Sequence, residues 1–581
     1  MEGYLEHAVI ITDEKSADSI TPPTVNDDET KLTAPVIMPT AFAADQERQS
    51  LTTLPKWRKW SLFACSCVLQ FLLQLDMAGV AVTLTKIATD QNAAQVKIFA
   101  LATGYFLAQT VFQLVFSHIS HAVGRKLMFL TGLALFLVGA SIAASRVLMN
   151  VLIFGRVVQG IGAAGMFTMS AIVIVDLTQP RQRAGWQAIS QAFGALGNIC
   201  GPLMSALLIN KFRLPWSSIF VTEAVLVAIL FLALLVLLPC DARKLGDAWR
   251  ELRKCDWIGM LAFFVCSVSI LTPINIGGAT AALGWKSAPV MSCFAVGVVS
   301  LGFLIMHQRC LAGKRPRPAF PREVFSRCVT NIAFLGTAAG GVLLSMVFYN
   351  LVFYFEGVRH LSTKQTGIML LSVTLTYPVA YMVTGLMIRR WGQVRPATIL
   401  GSVLATTGLG LMQLMTQDAT VHRMLAICMC AGAGCGILAP AMVNTVLAST
   451  EARWHPHAIA TRTLIYTAGQ CIGVSVGLAI FTNAFEAKFG DKAVARGILA
   501  NKQGLLSKIN ELQRLKPDSE VFGMIVESLR WVWGVACVLS GLVGLLACVV
   551  SCPKLPKDRP EGTVLPDEER QNDSHEMSTR Q

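Results

Sequence analysis

The stretch WSLFACSCVLQFLLQLDMAGVAVTLTKIA, residues 60–88, contains only two charged groups, Asp76 and Lys86. A helix needs about 20 apolar residues to cross a hydrocarbon core about 30 Å thick, and this run is longer than that. Lipid is the solvent such a segment requires. The same pattern recurs along the chain from Ile98 to Ser117, Leu127 to Ala144, Val151 to Val175, Trp186 to Ile209 and Ser217 to Leu238. It continues from Trp257 to Ile276, Ala288 to His307, Val329 to Phe355, Thr366 to Ile388, Ala397 to Met415, Met424 to Leu447, Ala458 to Phe485 and Leu529 to Ser551. Short charged or Gly/Pro stretches separate these runs. The pattern predicts an all-α polytopic membrane protein with about fourteen transmembrane helices.

Composition agrees. Of the 581 residues 54% are hydrophobic and only 14% charged, against roughly 25% charged in an average soluble domain. Cytoplasmic loops retain Lys and Arg, so their distribution sets the orientation. With odd-numbered helices starting from the cytoplasm, the inner side carries Lys56, Arg58, Lys59, Arg125, Lys126, Arg181 and Arg183. Further clusters stand at 243–254, 309–327 and 389–395. About 25 inner positives face about nine outer ones, which predicts cytoplasmic termini. The net charge of +14 therefore reports topology and excludes no-membrane, nucleic-acid-binding classes. The 16 cysteines are scattered through apolar runs, for example Cys65, Cys67, Cys200, Cys428, Cys430 and Cys435, without C-x-x-C spacing. They read as small packing residues. Neither a metal nor another cofactor is expected, and no phosphate-loop motif implies ATP.

Residues 1–55 and 553–581 are polar and read as disordered cytoplasmic tails, without a signal-peptide pattern. Residues 56–240 form a first six-helix bundle, 241–327 two central helices with linkers, and 328–552 a second six-helix bundle with an outer loop at 486–528. Within that loop Leu505, Leu506, Ile509, Leu512 and Leu515 recur at helical spacing. This predicts an amphipathic helix on the outer membrane surface or a cap over the last two helices.

Two pairs of motifs suggest internal duplication. Gly124, Arg125 and Lys126 close the loop after the second run, and Gly385, Arg389, Arg390 and Gly392 occupy the loop after the tenth. Gly194, Gly197 and Gly201 in the fifth run are matched by Gly469, Gly473 and Gly477 in the thirteenth. Small residues about four apart let helix backbones approach closely. An offset of eight, not six, implies two six-helix halves with two helices inserted between them.

A carboxylate within the bilayer costs roughly 2.5–3.5 kcal/mol on insertion scales, so such residues commonly mark ion or proton paths. Asp76 is the leading case, with Gln70 and Gln74 on one helix face beside it. The alternatives for Asp76 are solvation near the outer surface or a structural lock with an arginine. Arg156 opens the fourth run in a glycine-rich stretch with Gly160, Gly162 and Gly165, and must find water or an acid. Asp176 closes that run next to Arg181 and Arg183, the pattern of an interfacial ion pair. Pro202 interrupts the backbone hydrogen bonding of the fifth run. Glu223, Tyr349, Asn350, Tyr354, Glu356, Tyr377, Tyr381, Asn444, Thr467 and Gln470 are further cavity candidates.

At these residues the chain resembles the major facilitator superfamily, specifically the fourteen-span drug:proton antiporter group found in fungal multidrug and toxin exporters. Asp76 is similar to the acidic residue of that family's helix 1 motif, Gly124-Arg125-Lys126 to the end of its loop 2-3 motif, Arg156 to Gly165 to its helix 4 motif, and Gly197 to Ala206 to its helix 5 antiporter signature. The loop departs from the family pattern at Ser117, His121 and Ala122, and the helix 5 motif ends in Ser205-Ala206 rather than paired glycines. The resemblance implies that Arg156, together with Asp76, takes part in proton coupling. It also implies that the Gly-Pro segment tunes antiport and that the loop gates the switch.

The expected function is proton-driven export of a hydrophobic or amphipathic small organic molecule by alternating access, by a monomer in the cell membrane or a vacuolar membrane. The expected partners are that small molecule, protons and lipid, with no nucleic acid. Uptake of a siderophore-iron chelate and ligand sensing without transport are the alternatives. No nucleophile–base pair points to an enzyme.

Overall fold

The computed structural model describes residues 54–91, 95–146, 148–178, 183–239, 245–253, 255–277, 287–311, 320–359, 361, 363–416, 419–451, 454–489 and 521–549. These residues fold into helices, and no strand occurs among them. The first six long helices are α1 (Lys56–Asp90), α2 (Gln95–Val123), α3 (Arg125–Ala144), α4 (Met149–Leu177), α5 (Arg183–Ala206) and α6 (Ser218–Leu237). Two more follow, α7 (Trp257–Gly277) and α8 (Ala288–Leu311). The last six are α9 (Cys328–Phe353), α10 (Thr363–Trp391), α11 (Arg395–Met412), α12 (Val421–Ser449), α13 (His455–Phe489) and α14 (Val521–Val549). Short helices Leu245–Arg253 and Arg322–Phe325 lie in the connections before α7 and α9.

Thirteen of these helices are long and apolar enough to cross a membrane. The fourteenth, α11, falls short by that measure because Arg395 and Pro396 open a helix of only 18 residues. It nevertheless packs inside the second half, between α12 and α14.

Packing pairs repeat with the offset of eight. In the first half α1 packs on α5, α2 and α3 on α4, and α3 on α6; in the second α9 packs on α13, α10 and α11 on α12, and α11 on α14. The glycines explain how. A Cβ on Gly197 would lie 3.0 Å from the Leu75 backbone nitrogen and collide with the Phe71 carbonyl, and Gly201 meets Leu75 and Gly79 in the same way. Eight helices on, Gly469 and Gly473 face the backbone of α9 at Ala338 and Val342. Glycine thus brings α5 against α1 and α13 against α9 at backbone contact distance. The two motif loops also correspond. Gly124 and Gly392 are the two glycines with positive φ among the described residues, at 108° and 67°, a conformation costly for any residue with a Cβ.

The halves meet along two seams, α5 against α10 and α2 against α13. The inserted α7 and α8 pack on each other, and α7 also touches α2 and α13, so the pair flanks one seam. Asp256, at the start of α7, accepts hydrogen bonds from His307 (2.9 Å), Gln308 (2.8 Å) and the Gly259 N–H (2.9 Å), which join α7 to α8. Burial pushes the Asp256 carboxyl up, but these donors outweigh it and hold it below the usual carboxylate range.

Burial sorts the helices by depth. Over its apolar window α4 is 83% buried and α8 only 22%. The outward side of α8, with Val298 and Val299 exposed, suits lipid rather than water. Trp57, Trp60, Trp249, Trp257 and Trp391 are exposed near helix ends or in connections on the side assigned to the cytoplasm, as side chains of an interfacial aromatic belt would be. Arg58 and Lys126 reach the carbonyls at the end of α6, Leu237 at 2.6 Å and Leu238 at 2.9 Å, where cations satisfy free C=O groups. The expected amphipathic segment at 505–515 and both tails lie outside the described residues.

Candidate functional site

Between the two bundles lies a narrow cavity of about 540 Å³, mouth included. Its wall is mostly apolar, with polar groups from both halves: Gln74 and Asn198 from the first, Tyr349, Tyr377 and Gln470 from the second. The seams close around it. At one end of the α5–α10 seam Gly385 packs on Ala188, and at the other Gly367 packs on Pro202. On the other seam Thr467 donates a hydrogen bond to Gln113 at 3.1 Å.

One layer behind the cavity wall, α1, α4 and α6 bury a charged cluster. Arg156 Nη1 donates to Asp76 Oδ1 at 2.6 Å and to Gln159 Oε1 at 2.8 Å. The Gln159 amide donates in turn to Glu223 Oε2 at 3.2 Å and approaches Asp76 Oδ1 at 3.5 Å. Asp76 and Glu223 are fully buried and Arg156 is 2% exposed. The guanidinium lies 4.3 Å from the Tyr105 ring centre, a cation–π contact in which desolvation favours about 2 kcal/mol. Two carboxyls therefore share one arginine. Removed from water, the cluster is electrically neutral when one carboxyl holds a proton. Asp76 Oδ2 and Glu223 Oε1 have no hydrogen-bond partner among the described residues.

The candidates read from sequence separate into three groups. Gln74, Tyr349, Tyr377 and Gln470 line the central cavity. Asp76, Arg156 and Glu223 form the buried cluster, so Glu223, expected in the cavity wall, stands behind it. Several others make contacts within the bundles. Asn350 and Asn444 donate to carbonyls one turn back in their own helices, Met346 and Pro440, where their amides are satisfied without facing the cavity. Gln70 reaches Gln191 across the α1–α5 contact at 3.4 Å, and the Tyr354 hydroxyl donates to the Thr416 carbonyl. The Tyr381 ring lies tilted beside Tyr377, with ring centres 6.3 Å apart, and Tyr381 is not among the residues lining the central cavity. Asp176 pairs at 3.3 Å with Arg125. Arg125 also donates to Ser120 at 2.8 Å, so the loop's basic residue finds its acid at the far end of α4 despite the departures at Ser117 and Ala122. Gly160 and Gly162 let α4 touch α2 at Tyr105 and α3 at Phe136.

Three residues of note were passed over in the sequence. Gln159 stands three residues after Arg156, on the same helix face, which is a legible signal. Tyr105 carries none. Arg462, an arginine inside the α13 run, should have been read as Arg156 was. It is 8% exposed, and its guanidinium faces a second cavity of about 400 Å³, mouth included, within the second bundle. Tyr377 lines both cavities.

Comparison with known proteins agrees with this architecture. The chain is 27% identical to "MFS transporter L2" of a Phoma species over 92% of this chain and 89% of that one. It is 25% identical to "MFS efflux transporter aclA" of Aspergillus oryzae, over 88% and 92% of the two chains, and 23% identical to "MFS-type efflux pump LUC4" of a Fusarium species, over 90% and 93%. The crystal structure of the human organic anion transporter MFSD10 (TETRAN) shares the fold, with a TM-score of 0.50 and 14% identity over 81% of this chain and all of that one. The model of the Major Facilitator Superfamily matches residues 66–477, across both bundles and the helices inserted between them, and the chain belongs to that superfamily of membrane transporters.

Proposed function

We propose that the protein exports a hydrophobic or amphipathic small organic molecule, a drug, toxin or secondary metabolite, in exchange for protons. The two bundles rock about the central cavity, with both termini cytoplasmic and the plasma membrane as the expected site. The observation that carries this reading is the buried cluster of Asp76, Arg156, Gln159 and Glu223, which holds two carboxyls around one guanidinium directly behind the cavity wall. Loss or gain of the shared proton changes the charge of a buried site, and a change of conformation or of cargo relieves that charge. The mostly apolar cavity suits an amphipathic cargo. Relatives named as efflux transporters and pumps favour the outward direction.

The test uses proteoliposomes with an imposed pH gradient and a panel of amphipathic fluorescent compounds. An acidic interior is expected to drive accumulation of panel members. Glu223→Gln keeps the amide contact and removes the exchangeable proton, so it should reduce pH-driven accumulation to background while exchange of labelled for unlabelled compound continues. Accumulation by Glu223→Gln and Asp76→Asn at the unmodified rate would overturn proton coupling at this cluster.

A further inference from the structure

The first bundle buries Arg125 and Arg156, each beside an aspartate, and the second buries Arg462, whose charge is met differently. Arg156 in the first bundle is neutralised by Asp76 at 2.6 Å, with Glu223 beyond Gln159. Arg462 in the second is 8% exposed, and among the described residues no Asp or Glu pairs with it. Its Nε has no hydrogen-bond partner. A guanidinium stays protonated even when buried, so its charge persists in a site that penalises it.

The surroundings fit an incoming anion. Tyr377 and Tyr466 line the same recess as Arg462, and the guanidinium lies 5.9 Å from the Tyr466 ring centre. The tyrosine hydroxyls are donors, and the guanidinium fork binds a carboxylate through two parallel hydrogen bonds. Leu438 and Met442 supply an apolar wall, and a Cβ on Gly340 would meet nothing within 4 Å, so space is left beside α9. Tyr377 lines both this recess and the central cavity and forms the wall they share.

We infer that Arg462, with Tyr377 and Tyr466, forms an anion subsite that receives the carboxylate of an organic-acid cargo whose apolar body occupies the central cavity. The inference rests on the proposed transport and narrows its substrate class to amphipathic monoanions. The missing counter-ion of the second bundle is the cargo's own acid group.

The experiment measures the thermal unfolding midpoint of the full chain in detergent, in chloride-free buffer, with 2-naphthoate, its neutral analogue 2-naphthamide, or chloride. Naphthoate is expected to raise the midpoint and naphthamide not. Arg462→Gln should weaken the naphthoate effect at least about tenfold in half-maximal concentration, and Arg462→Lys should weaken it less, because it keeps the charge and loses the fork. Without any added anion, Arg462→Met should raise the midpoint by about 2 °C or more, since it removes an uncompensated buried charge. A lower midpoint for Arg462→Met would make the arginine structural and overturn the inference. So would absence of a naphthoate effect, an equal effect of naphthamide, or an equal effect of chloride, which would assign the recess to an inorganic anion. No pH gradient is present, so the assay reads the subsite alone. Failure here leaves pH-driven flux of neutral amphiphiles intact, and failure of proton coupling leaves these midpoints unchanged.

Discussion

Arg156→Met is expected to abolish transport and to lower stability by about 3–5 kcal/mol, the usual cost of removing one partner of a buried ion pair. The substitution keeps the apolar stem of the side chain but removes the guanidinium that lies over Tyr105 and Phe220. What is lost is the one cation facing Asp76 and Glu223. Two carboxyls then share a dry site through Gln159 alone, and both must be neutral for the bundle to stay folded. The companion variant separates charge from shape. In Arg156→Met combined with Asp76→Asn one carboxyl remains, Glu223, and it can stay protonated without a neighbouring charge. Stability should therefore recover in the double variant while transport does not. Thermal unfolding in detergent checks the first part, and flux in proteoliposomes the second. Equal loss of stability in the single and double variants would show that the arginine is held for packing and not for charge.

The sequence made the fold legible because lipid imposes a coarse rule. Any run of about 20 apolar residues must be a helix, since unpaired backbone groups are too costly in hydrocarbon. The offset of eight between the Gly124 and Gly392 loops, and between Gly197 and Gly473, was readable for a related reason. Close backbone approach leaves glycine as the fitting residue, so symmetry of packing is written as symmetry of glycines. The site was legible only in part. Asp76 and Arg156 stand out because a charge within an apolar run demands a partner, yet the run does not say which partner. Glu223 was grouped with the cavity wall because helical position alone cannot tell a face that looks into the seam from one that looks into the bundle. At Asn350 and Asn444 a polar amide in a helix satisfies itself on the carbonyl one turn back, a contact that helical position alone does not announce. Arg125 and Asp176 could not be paired from sequence because the contact joins the start of α3 to the end of α4, while nearer arginines offered simpler partners.

Gly197→Val should destabilise the protein by about 1–3 kcal/mol or more and uncouple transport, whereas Gly302→Val should do neither. The Cβ at residue 197 would lie 2.9 Å from the Phe71 carbonyl carbon and 3.0 Å from the Leu75 nitrogen. These are backbone atoms, so no rotamer change relieves the contact, and the two added methyl groups force α5 and α1 apart. The effect does not stay local. On either side of Leu75, α1 carries Gln74 in the cavity wall and Asp76 in the ion pair, so displacement of α1 lengthens the 2.6 Å contact with Arg156. Gly302, on the outward side of α8, would place its Cβ where nothing lies within 4 Å, and lipid accepts the added methyls. Because both changes are Gly→Val within membrane helices, the comparison cancels the intrinsic helix preference of valine and leaves the helix contact. Expression level, unfolding midpoint and pH-driven flux should all separate the two variants. If the position-302 variant proved as damaged as the position-197 one, close approach of α5 to α1 would not be what positions Asp76.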